Sequence, residues 1–398
     1  MDPIFQEAIP LIQQIEEAGY EAYFVGGSVR DFLLGKKIND IDIATSATPE
    51  EIKTIFDHTI DIGIQHGTVM VLFHHQSYEI TTFRTESQYL DYRHPSEVLF
   101  IRNLRDDLKR RDFTMNAMAM DKNGSIIDYF DGEIALKNKQ IMTVGDANER
   151  FQEDALRMMR AIRFISTLGF SLEKHTKQSI RKNRMLLKEI AVERITAEFE
   201  KLLDGPARNV AFKHIVDTKL YENMPAWKGN GESFERLASL NTAELNRLEM
   251  WVLLLLCLKT KEKSAIEAFL RAWKLPVKQI KQIQKILFFV YKKQTNPWSD
   301  KDLYDATLSI AYSTENVVRV FWKKGEELQK IKESYENLPI KGREELIIGG
   351  RDVMEWSNKS PGPWIKEVLE VVERAVVEKK LQNEKPAIKE WLQTCHLI

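Results

Sequence analysis

Two glycines and two aspartates in one short stretch constrain most strongly how this chain can fold. The stretch is GGSVRDFLLGKKINDIDIAT, residues 26–45. It follows a short apolar segment that is predicted to be a strand ending at Gly26. A helix is expected to begin after Gly26 and Gly27, and a second strand is expected to carry Asp40 and Asp42. Strand, glycine turn, helix and strand in this order predict a small α+β module.

The same residues indicate chemistry with a phosphate and a metal ion. Asp40 and Asp42 are two positions apart, so on a strand they would point to one face. Such a pair suits Mg²⁺, which usually takes one or two protein carboxylates plus substrate phosphates. Glycine at positions 26 and 27 lets backbone N–H groups approach a phosphate, and Arg30 on the following helix can grip a triphosphate. Each feature alone is commonly an ordinary turn or strand end, but together they favour nucleotidyl transfer.

Two common phosphate-binding motifs do not fit this stretch. No GK[ST] follows the glycines, as a Walker A loop would require. The third glycine of a dinucleotide-binding fingerprint is also missing. The glycine turn is therefore expected to work with the aspartates rather than as either of these motifs.

Length, charge and cysteine content narrow the class of protein. The 398 residues suffice for two to four domains. Lys and Arg number 58 against 59 Asp and Glu, so any nucleic-acid footprint must come from local patches. Cys257 and Cys395 form no disulfide framework and no zinc motif, which suits a reducing compartment. The N-terminus has no signal-peptide pattern, and no apolar run is long enough to span a bilayer, so we expect a cytoplasmic protein.

The hydrophobic pattern changes near residue 148. Before it, a helix is predicted at 5–18, and strands are predicted at 21–25, 38–43, 68–73, 77–83, 118–120 and 126–129. After it, helical periodicity dominates, as in 153–168, 193–203 and 364–375. The pattern therefore predicts a mixed catalytic module followed by a largely helical remainder.

A basic triplet precedes a second candidate segment, RRDFTMNAMAMD. Its apolar residues must be buried, which places Arg111 and Asp112 at the edge of packed structure. A basic triplet is commonly a solvated face, and spacing alone leaves the two interpretations level. Position at a packed edge favours a site arginine.

The third candidate segment is EDALRMMRAIRF, predicted to lie on one helix. Asp154 and Arg157 would then share a face, and Arg160 and Arg163 would continue the row. Because the row has three arginines and one carboxylate, phosphate is expected as the missing anion. The alternative is an ordinary surface ion pair.

Asp154 beside Arg157 could also read a nucleobase. A carboxylate next to a guanidinium complements an amine donor next to a ring-nitrogen acceptor, which is the order on both cytosine and adenine. Uracil and guanine present the reverse order and would leave buried polar groups unpaired.

Together these segments resemble the class II tRNA nucleotidyltransferases, the CCA-adding enzymes of the class that includes bacteria. The resemblance rests on GGSVRDFLLG…NDIDIAT, RRDFTMNAMAMD, GSIIDYFDG, EDALRMMRAIRF and AVERITAEFEKLL, which follow the family's order over residues 5–203. It extends more weakly to FLRAWKLP, LPIKGREELIIGGRDVMEW and PGPWIKEVLE.

The resemblance implies an α+β fold shaped like a seahorse. A small catalytic head of the DNA polymerase β superfamily, with a mixed sheet and helices, would be followed by an all-helical neck, body and tail. The head would span residues 1–145 and the base-recognising neck 146–205. The body, 206–330, and the tail, 331–398, would bind tRNA.

The resemblance also implies roles for individual residues. Asp40, Asp42 and Arg111 would be catalytic, with Mg²⁺ on the two aspartates. The residues that bind ATP or CTP would be Gly27, Arg30, Arg111, Asp154, Arg157, Arg160 and Arg163. Within this set, Asp154 and Arg157 would replace a nucleic-acid template. Glu79 is a candidate for a third acidic group, or an ordinary exposed strand residue.

The implied reaction is two-metal transfer of CMP, CMP and then AMP to the 3′ end of tRNA. The partners would be CTP, ATP and the 3′ end and acceptor or elbow region of tRNA, with neither DNA nor a membrane. The stretch 271–294 has no acidic residue and is either a solvated helix face or a tRNA contact. Its basic residues are Arg271, Lys274, Lys278, Lys281, Lys285, Lys292 and Lys293.

Three alternatives remain open. Poly(A) polymerase shares the head, and a CC-adding or A-adding specialist shares most motifs. The polar segment 84–95 resembles a flexible loop that CC-adding relatives lack, and it is expected to move in the change from C to A addition. A non-catalytic RNA-binding protein is less favoured, because the adjacent carboxylates Asp40 and Asp42 would only repel RNA.

Overall fold

A computed structural model describes residues 2–63, 66–74, 76–86, 98–227 and 229–398. The chain divides into two compact units. Unit 1 comprises Met1–Ser239 and Ala272–Lys274, and unit 2 comprises Leu240–Arg271 and Leu275–Ile398. Within the described ranges, every helix is too short or too polar to cross a membrane. The division into head, neck, body and tail stays a prediction.

The strands all lie in unit 1. They are β1 (Ala22–Val25), β2 (Asp42–Thr45), β3 (Thr59–Gly63), β4 (Thr68–Phe73), β5 (Gln76–Thr82), β6 (Arg84–Glu86), β7 (Val98–Phe100), β8 (Met118–Met120), β9 (Ile126–Asp128), β10 (Gln140–Ile141) and β11 (Ser171–Leu172). Seven form one sheet in the order β3-β4-β5-β2-β1-β8-β9. Strand β2 is antiparallel to β1 and parallel to β5, so the sheet is mixed. The β6–β7 and β10–β11 pairs are separate.

Helices complete unit 1 around and after the sheet. They are α1 (Pro3–Glu17), α2 (Gly27–Leu33), α3 (Pro49–Ile55), α4 (Leu104–Lys109), α5 (Gly132–Lys137), α6 (Ala147–Glu153), α7 (Leu156–Leu168), α8 (Lys174–Asn183), α9 (Val192–Asp204), α10 (Arg208–Thr218) and α11 (Gly231–Ser239). The first helix follows its sequence closely: Asp2 caps it by accepting from the backbone N–H of Ile4, and Pro3 occupies its first turn.

Unit 2 is helical throughout its described residues. Its helices are α12 (Arg247–Cys257), α13 (Lys263–Ala272), α14 (Val277–Lys293), α15 (Asp300–Ala306), α16 (Leu308–Trp322), α17 (Leu328–Glu336), α18 (Gly350–Ser357), α19 (Trp364–Val377) and α20 (Lys385–Thr394). The apolar run in α12 is buried against α14 and α16, and it includes Cys257. A second core cluster gathers Val353, Val372, Val376 and Ile388.

The expected fold class is confirmed, since a mixed sheet with helices precedes a helical remainder. Two predicted elements differ from the structure. Strand β2 begins at Asp42, so Asp40 precedes the strand and strand periodicity does not fix its direction. The single helix predicted over 153–168 is two helices, because Asp154 is extended between them with φ −134° and ψ 103°. Its side chain accepts the N–H of Leu156 at 3.0 Å, which turns the chain into α7.

Candidate functional site

The predicted site residues converge on one cavity of about 640 Å³ in unit 1. Eight of the nine line it, and Asp40 lies exposed two residues before Asp42. The charged lining is mostly basic. It comprises Arg30, Arg84, Arg110, Arg111, Arg157, Arg160, Arg163 and Arg194, against Asp42, Asp112 and Asp154. An excess of guanidinium groups around one space suits a ligand with several negative charges.

Gly26 shapes one end of the cavity. Its φ is +70°, a conformation that side-chain-bearing residues rarely adopt. A Cβ at this position would lie 3.2 Å from Nη1 of Arg111 and 3.4 Å from Oδ2 of Asp42. The turn therefore brings backbone, guanidinium and carboxylate together only because residue 26 is glycine.

Asp42 is the carboxylate at this end. Burial of its surroundings raises the pKa of Asp42, and the charge of Asp40 raises it further, while Arg111 acts in the opposite direction. Glu79 on β5 is the register partner of Asp42 on β2, so the two residues stand side by side on the sheet. Glu79 remains a candidate for a third acidic group.

The donor set at this end suits a hard cation. Among the residues that the structure describes, no group of three or more His, Cys, Asp or Glu side chains forms a ready-made metal site. Asp40 and Asp42 would supply carboxylates, and the remaining positions would be left for phosphate oxygens and water. Mg²⁺ is usually bound in this way in nucleotide sites.

Asp107 holds Arg111 in place, and the sequence interpretation missed it. Its carboxylate is 1% exposed and accepts from Arg110 Nε at 2.9 Å and Arg111 Nη2 at 3.1 Å. Burial acts to raise the pKa of Asp107, but Arg111 and Arg110 together hold it below its usual value. The spacing to i+3 and i+4 on α4 is the signal that could have identified it.

A chain of hydrogen bonds links α2 to α7 through Asn116. Nη1 of Arg30 donates to Oδ1 of Asn116 at 2.7 Å, and Nδ2 of Asn116 donates to Oδ1 of Asp112 at 3.1 Å. Nε of Arg160 donates to the other oxygen of Asp112 at 2.7 Å. An asparagine fits between them because it offers an acceptor to the arginine and a donor to the carboxylate.

The arginine row of α7 does not lack counter-charge, so that part of the sequence argument was wrong. Arg160 pairs with Asp112, as described above. Arg157 pairs with Glu153 at 2.5 Å, and Arg163 pairs with Glu198 of α9 at 2.6 Å. Counting charges along one helix misses carboxylates that other elements contribute. Anion binding is instead favoured by the overall excess of arginine in the lining.

Asp154 and Arg157 both line the cavity, but they do not share a helical face. Asp154 precedes α7, and its carboxylate pairs with Arg194 of α9 at 2.8 Å. Arg157 is 7% exposed and donates to the carbonyl oxygens of Arg150 and Arg110, each at 3.0 Å. Arg194 lies in the AVERITAEFEKLL segment, and its pairing with Asp154 was not predicted.

Phe164 was also missed as a lining residue. The guanidinium carbon of Arg163 lies 3.8 Å from the centre of its ring, and those of Arg30 and Arg160 lie 5.3 and 5.7 Å away. Cations over an aromatic face are attracted to it, so the ring helps to gather three arginines. The segment 84–95 contributes Arg84 to the lining, but its residues from 87 onward lie outside the described residues.

Three family models match this chain. They are the poly A polymerase head domain over residues 22–142, the probable RNA and SrmB-binding site of polymerase A over residues 169–228, and the putative domain 2 of tRNA nucleotidyltransferases over residues 245–392. Together they cover parts of both units.

Whole-length similarity to individual proteins is high. The chain is 45% identical over 397 residues to the CCA-adding enzyme of Bacillus cytotoxicus, with 99% of each chain covered. It is also 45% identical over 398 residues to that of Bacillus cereus, with 99% of this chain and 100% of the relative covered. The crystal structure of the Bacillus stearothermophilus CCA-adding enzyme in complex with CTP matches with a TM-score of 0.91 at 44% identity, covering 100% of this chain and 98% of that one. The motif order, the fold and these similarities agree, and the chain belongs to the CCA-adding enzymes, a family of tRNA nucleotidyltransferases.

Proposed function

We propose that this protein adds CCA to the 3′ end of tRNA, using CTP and ATP and no nucleic-acid template. The observation that carries the proposal is the shared cavity: Asp42, Arg111, Asp154 and Arg157 all line one arginine-rich space. Such a space suits a nucleoside triphosphate, with the phosphates and the base at different ends. The similarity to CCA-adding enzymes supports this substrate choice over poly(A) synthesis.

We assign Asp40 and Asp42 to divalent metal ions, with Mg²⁺ as the preferred ion. When bound, the ions would lower the pKa of the attacking 3′-OH and stabilise charge on the leaving pyrophosphate. The chain's own groups position the reactants. Gly26 and Gly27 allow close approach of the backbone, and Arg30 and Arg111 hold the sugar-phosphate part of the nucleotide.

We assign base selection to Asp154 and Arg157, with Arg160 and Arg163 completing the pocket. Arg194 orients the carboxylate of Asp154, while Glu153 and two carbonyl groups hold the guanidinium of Arg157. An edge held in this way can present the same acceptor and donor to cytosine and to adenine. A uracil or guanine would leave these groups unpaired, which is costly in a closed site.

The central experiment supplies a tRNA that lacks CCA with each nucleotide alone and with both. We expect CTP alone to give two added residues, ATP alone to give little addition, and both to give three residues and then a stop. Long tails from ATP alone would establish poly(A) synthesis instead. Incorporation that stops after two residues with both nucleotides present would establish a CC-adding specialist.

The metal assignment is tested with Asp42→Asn and Asp40→Asn. Each variant should lose transfer almost completely and keep its tRNA affinity and thermal stability, because both aspartates are exposed and contribute little to packing. Binding of Mn²⁺ followed by electron paramagnetic resonance gives a readout independent of activity. Normal transfer by either variant at millimolar Mg²⁺ would refute the assignment.

Base selection is tested with Asp154→Asn, which keeps shape and removes the fixed acceptor. We expect lower use of CTP and ATP and a narrower preference over UTP and GTP. Exchanging the two residues is a poorer test, because a carboxylate at position 157 would lie beside Glu153. Unchanged selectivity in Asp154→Asn would place the recognition elsewhere.

A further inference from the structure

A second cavity lies in unit 2 and takes no part in the nucleotide site. It measures about 650 Å³ and is lined by the start of α13 and the second half of α14. Its apolar lining is Ile266, Leu287, Phe288 and the ring of Tyr291. Phe288 is 60% exposed, more than any other large apolar side chain in the described residues. An aromatic ring left open to water beside a cavity is typical of a binding surface.

The rim of this cavity is basic. Its lysines are Lys261, Lys263, Lys285 and Lys292. Lys292 is paired with Asp302 at 2.5 Å, and Lys263 lies near Glu267, so the positive charge is partly compensated. The lining residues that the structure describes include no acidic side chain. Lysines around an exposed ring complement a ligand that has both a flat apolar face and nearby negative charges.

We propose that this cavity binds one unstacked nucleotide of the tRNA substrate, with its base against Phe288 and its flanking phosphates near Lys261 and Lys285. The inference rests on the proposed function and adds a contact outside the catalytic cavity. Stacking on an aromatic ring tolerates any base, because every base has a flat π face. Such a contact suits an enzyme that must accept tRNAs of different sequence, whose loops expose unstacked bases.

An RNA ligand explains the ring better than an acidic protein surface does. An acidic protein would need the lysines, but it has no requirement for a flat aromatic face. A base with adjacent phosphates uses both features of the cavity at once.

The test measures the affinity of the full-length protein for a tRNA lacking CCA, as a function of salt. Phe288→Ala should weaken binding by about five- to a hundredfold, from the usual contribution of one stacked base. Phe288→Leu should be nearly as weak, because it keeps apolar volume but no ring, and Phe288→Tyr should restore affinity. Val277→Ala is the matched control: it removes an exposed apolar side chain from the same helix outside the cavity.

The salt dependence separates the two kinds of contact. Phe288→Ala should leave the slope of log affinity against log salt unchanged. Lys285→Ala should reduce that slope by about 0.7, the value for one phosphate contact on a single strand. Photo-crosslinking from position 288 should identify an unpaired nucleotide of the tRNA.

Three results would overturn the inference: wild-type affinity in Phe288→Ala, full affinity in Phe288→Leu, or equal losses in Phe288→Ala and Val277→Ala. Wild-type affinity in Phe288→Ala would leave a protein surface as the occupant. The outcome is separable from the proposed function, because CCA addition by the wild-type protein is measured independently. Addition of CCA together with unaltered binding by Phe288→Ala would refute only this inference.

Discussion

Gly26 is the residue whose replacement gives the cleanest test of how the turn serves the site. Gly26→Ala forces a Cβ into a positive-φ position and toward Arg111 and Asp42. We expect a stability cost of about 1–3 kcal/mol together with at least a tenfold loss of kcat. Steady-state kinetics and thermal unfolding measure the two effects.

Gly19→Ala is the control for this prediction. Gly19 also has a positive φ, +89°, but a Cβ there would meet nothing within 4 Å. Its replacement should cost similar stability and leave kcat near the wild-type value. Equal kinetic losses in both variants would show that backbone strain, not crowding of the site, explains the effect.

Asn116 is expected to couple Arg30 to Asp112. Asn116→Asp keeps the acceptor for Arg30 but places a second carboxylate against Asp112, so Asp112 loses a hydrogen bond and gains a repulsion. We expect KM for both CTP and ATP to rise about tenfold. Asn183→Ala removes another buried asparagine, which bonds to Asn148 and the backbone of α8 outside the cavity. A similar rise of KM in that variant would contradict a positioning role for Asn116.

At the scale of elements, the pairing of α7 with α9 depends on a buried carboxylate. Glu198 is 6% exposed and pairs with Arg163. Glu198→Gln leaves a buried guanidinium without its counter-charge, so unfolding free energy should fall by about 2–4 kcal/mol. Urea denaturation measures it. Glu193→Gln changes an exposed residue of the same helix and should shift stability by less than about 0.5 kcal/mol. Comparable losses would contradict the importance of burial.

The ion pairs of α4 predict how stability varies with pH. The pKa of Asp107 is lower in the folded protein than in the unfolded chain, because Arg111 and Arg110 outweigh the opposing effect of burial. Its contribution is therefore fully present above the unfolded pKa of about 4 and is lost as the pH falls through the folded pKa. The stability difference between wild type and Asp107→Asn should be largest above pH 5 and shrink below pH 4.

Urea denaturation at each pH tests this prediction. The neighbouring Asp106 is exposed on the same helix, and Asp106→Asn should show no such trend. A difference for Asp107→Asn that does not change with pH would contradict the assigned ion pairs.

At the scale of the whole molecule, unit 1 is completed by a segment from much later in the chain. Trp273 is fully buried, lies 4.6 Å from Phe199 between ring centroids, and accepts a hydrogen bond from Thr196 through its carbonyl. A chain that ends at Ser239 lacks this side chain. We expect it to unfold at a markedly lower temperature than the full-length protein, with Phe199 opened to water.

Trp273→Ala in the full-length chain tests the same contact without truncation. Loss of a buried tryptophan typically costs about 3–5 kcal/mol. Calorimetry and near-ultraviolet circular dichroism follow the effect. A chain ending at Ser239 with the wild-type melting temperature would show that the first 239 residues complete their own core.

The sequence by itself determined the fold class, the cavity's principal residues and the family. This was possible because glycine turns, paired carboxylates and helical periodicity are local patterns, and local chemistry restricts them to few structures. Asp42, Arg111 and Arg157 were selected from such patterns, and all three line the cavity. The direction of Asp40 was not determined, because the strand begins two residues later.

Only the tertiary structure decided which charges meet. Asp154 pairs with Arg194, 40 residues away, and Arg160 pairs with Asp112, 48 residues away. No periodicity links such positions, since their distance depends on how α7 packs against α9 and against the segment after α4. The expected role of phosphate as the missing counter-ion of α7 failed for this reason. Residue types and spacing reveal what chemistry a segment can perform, whereas packing over long sequence separations determines which groups are already neutralised.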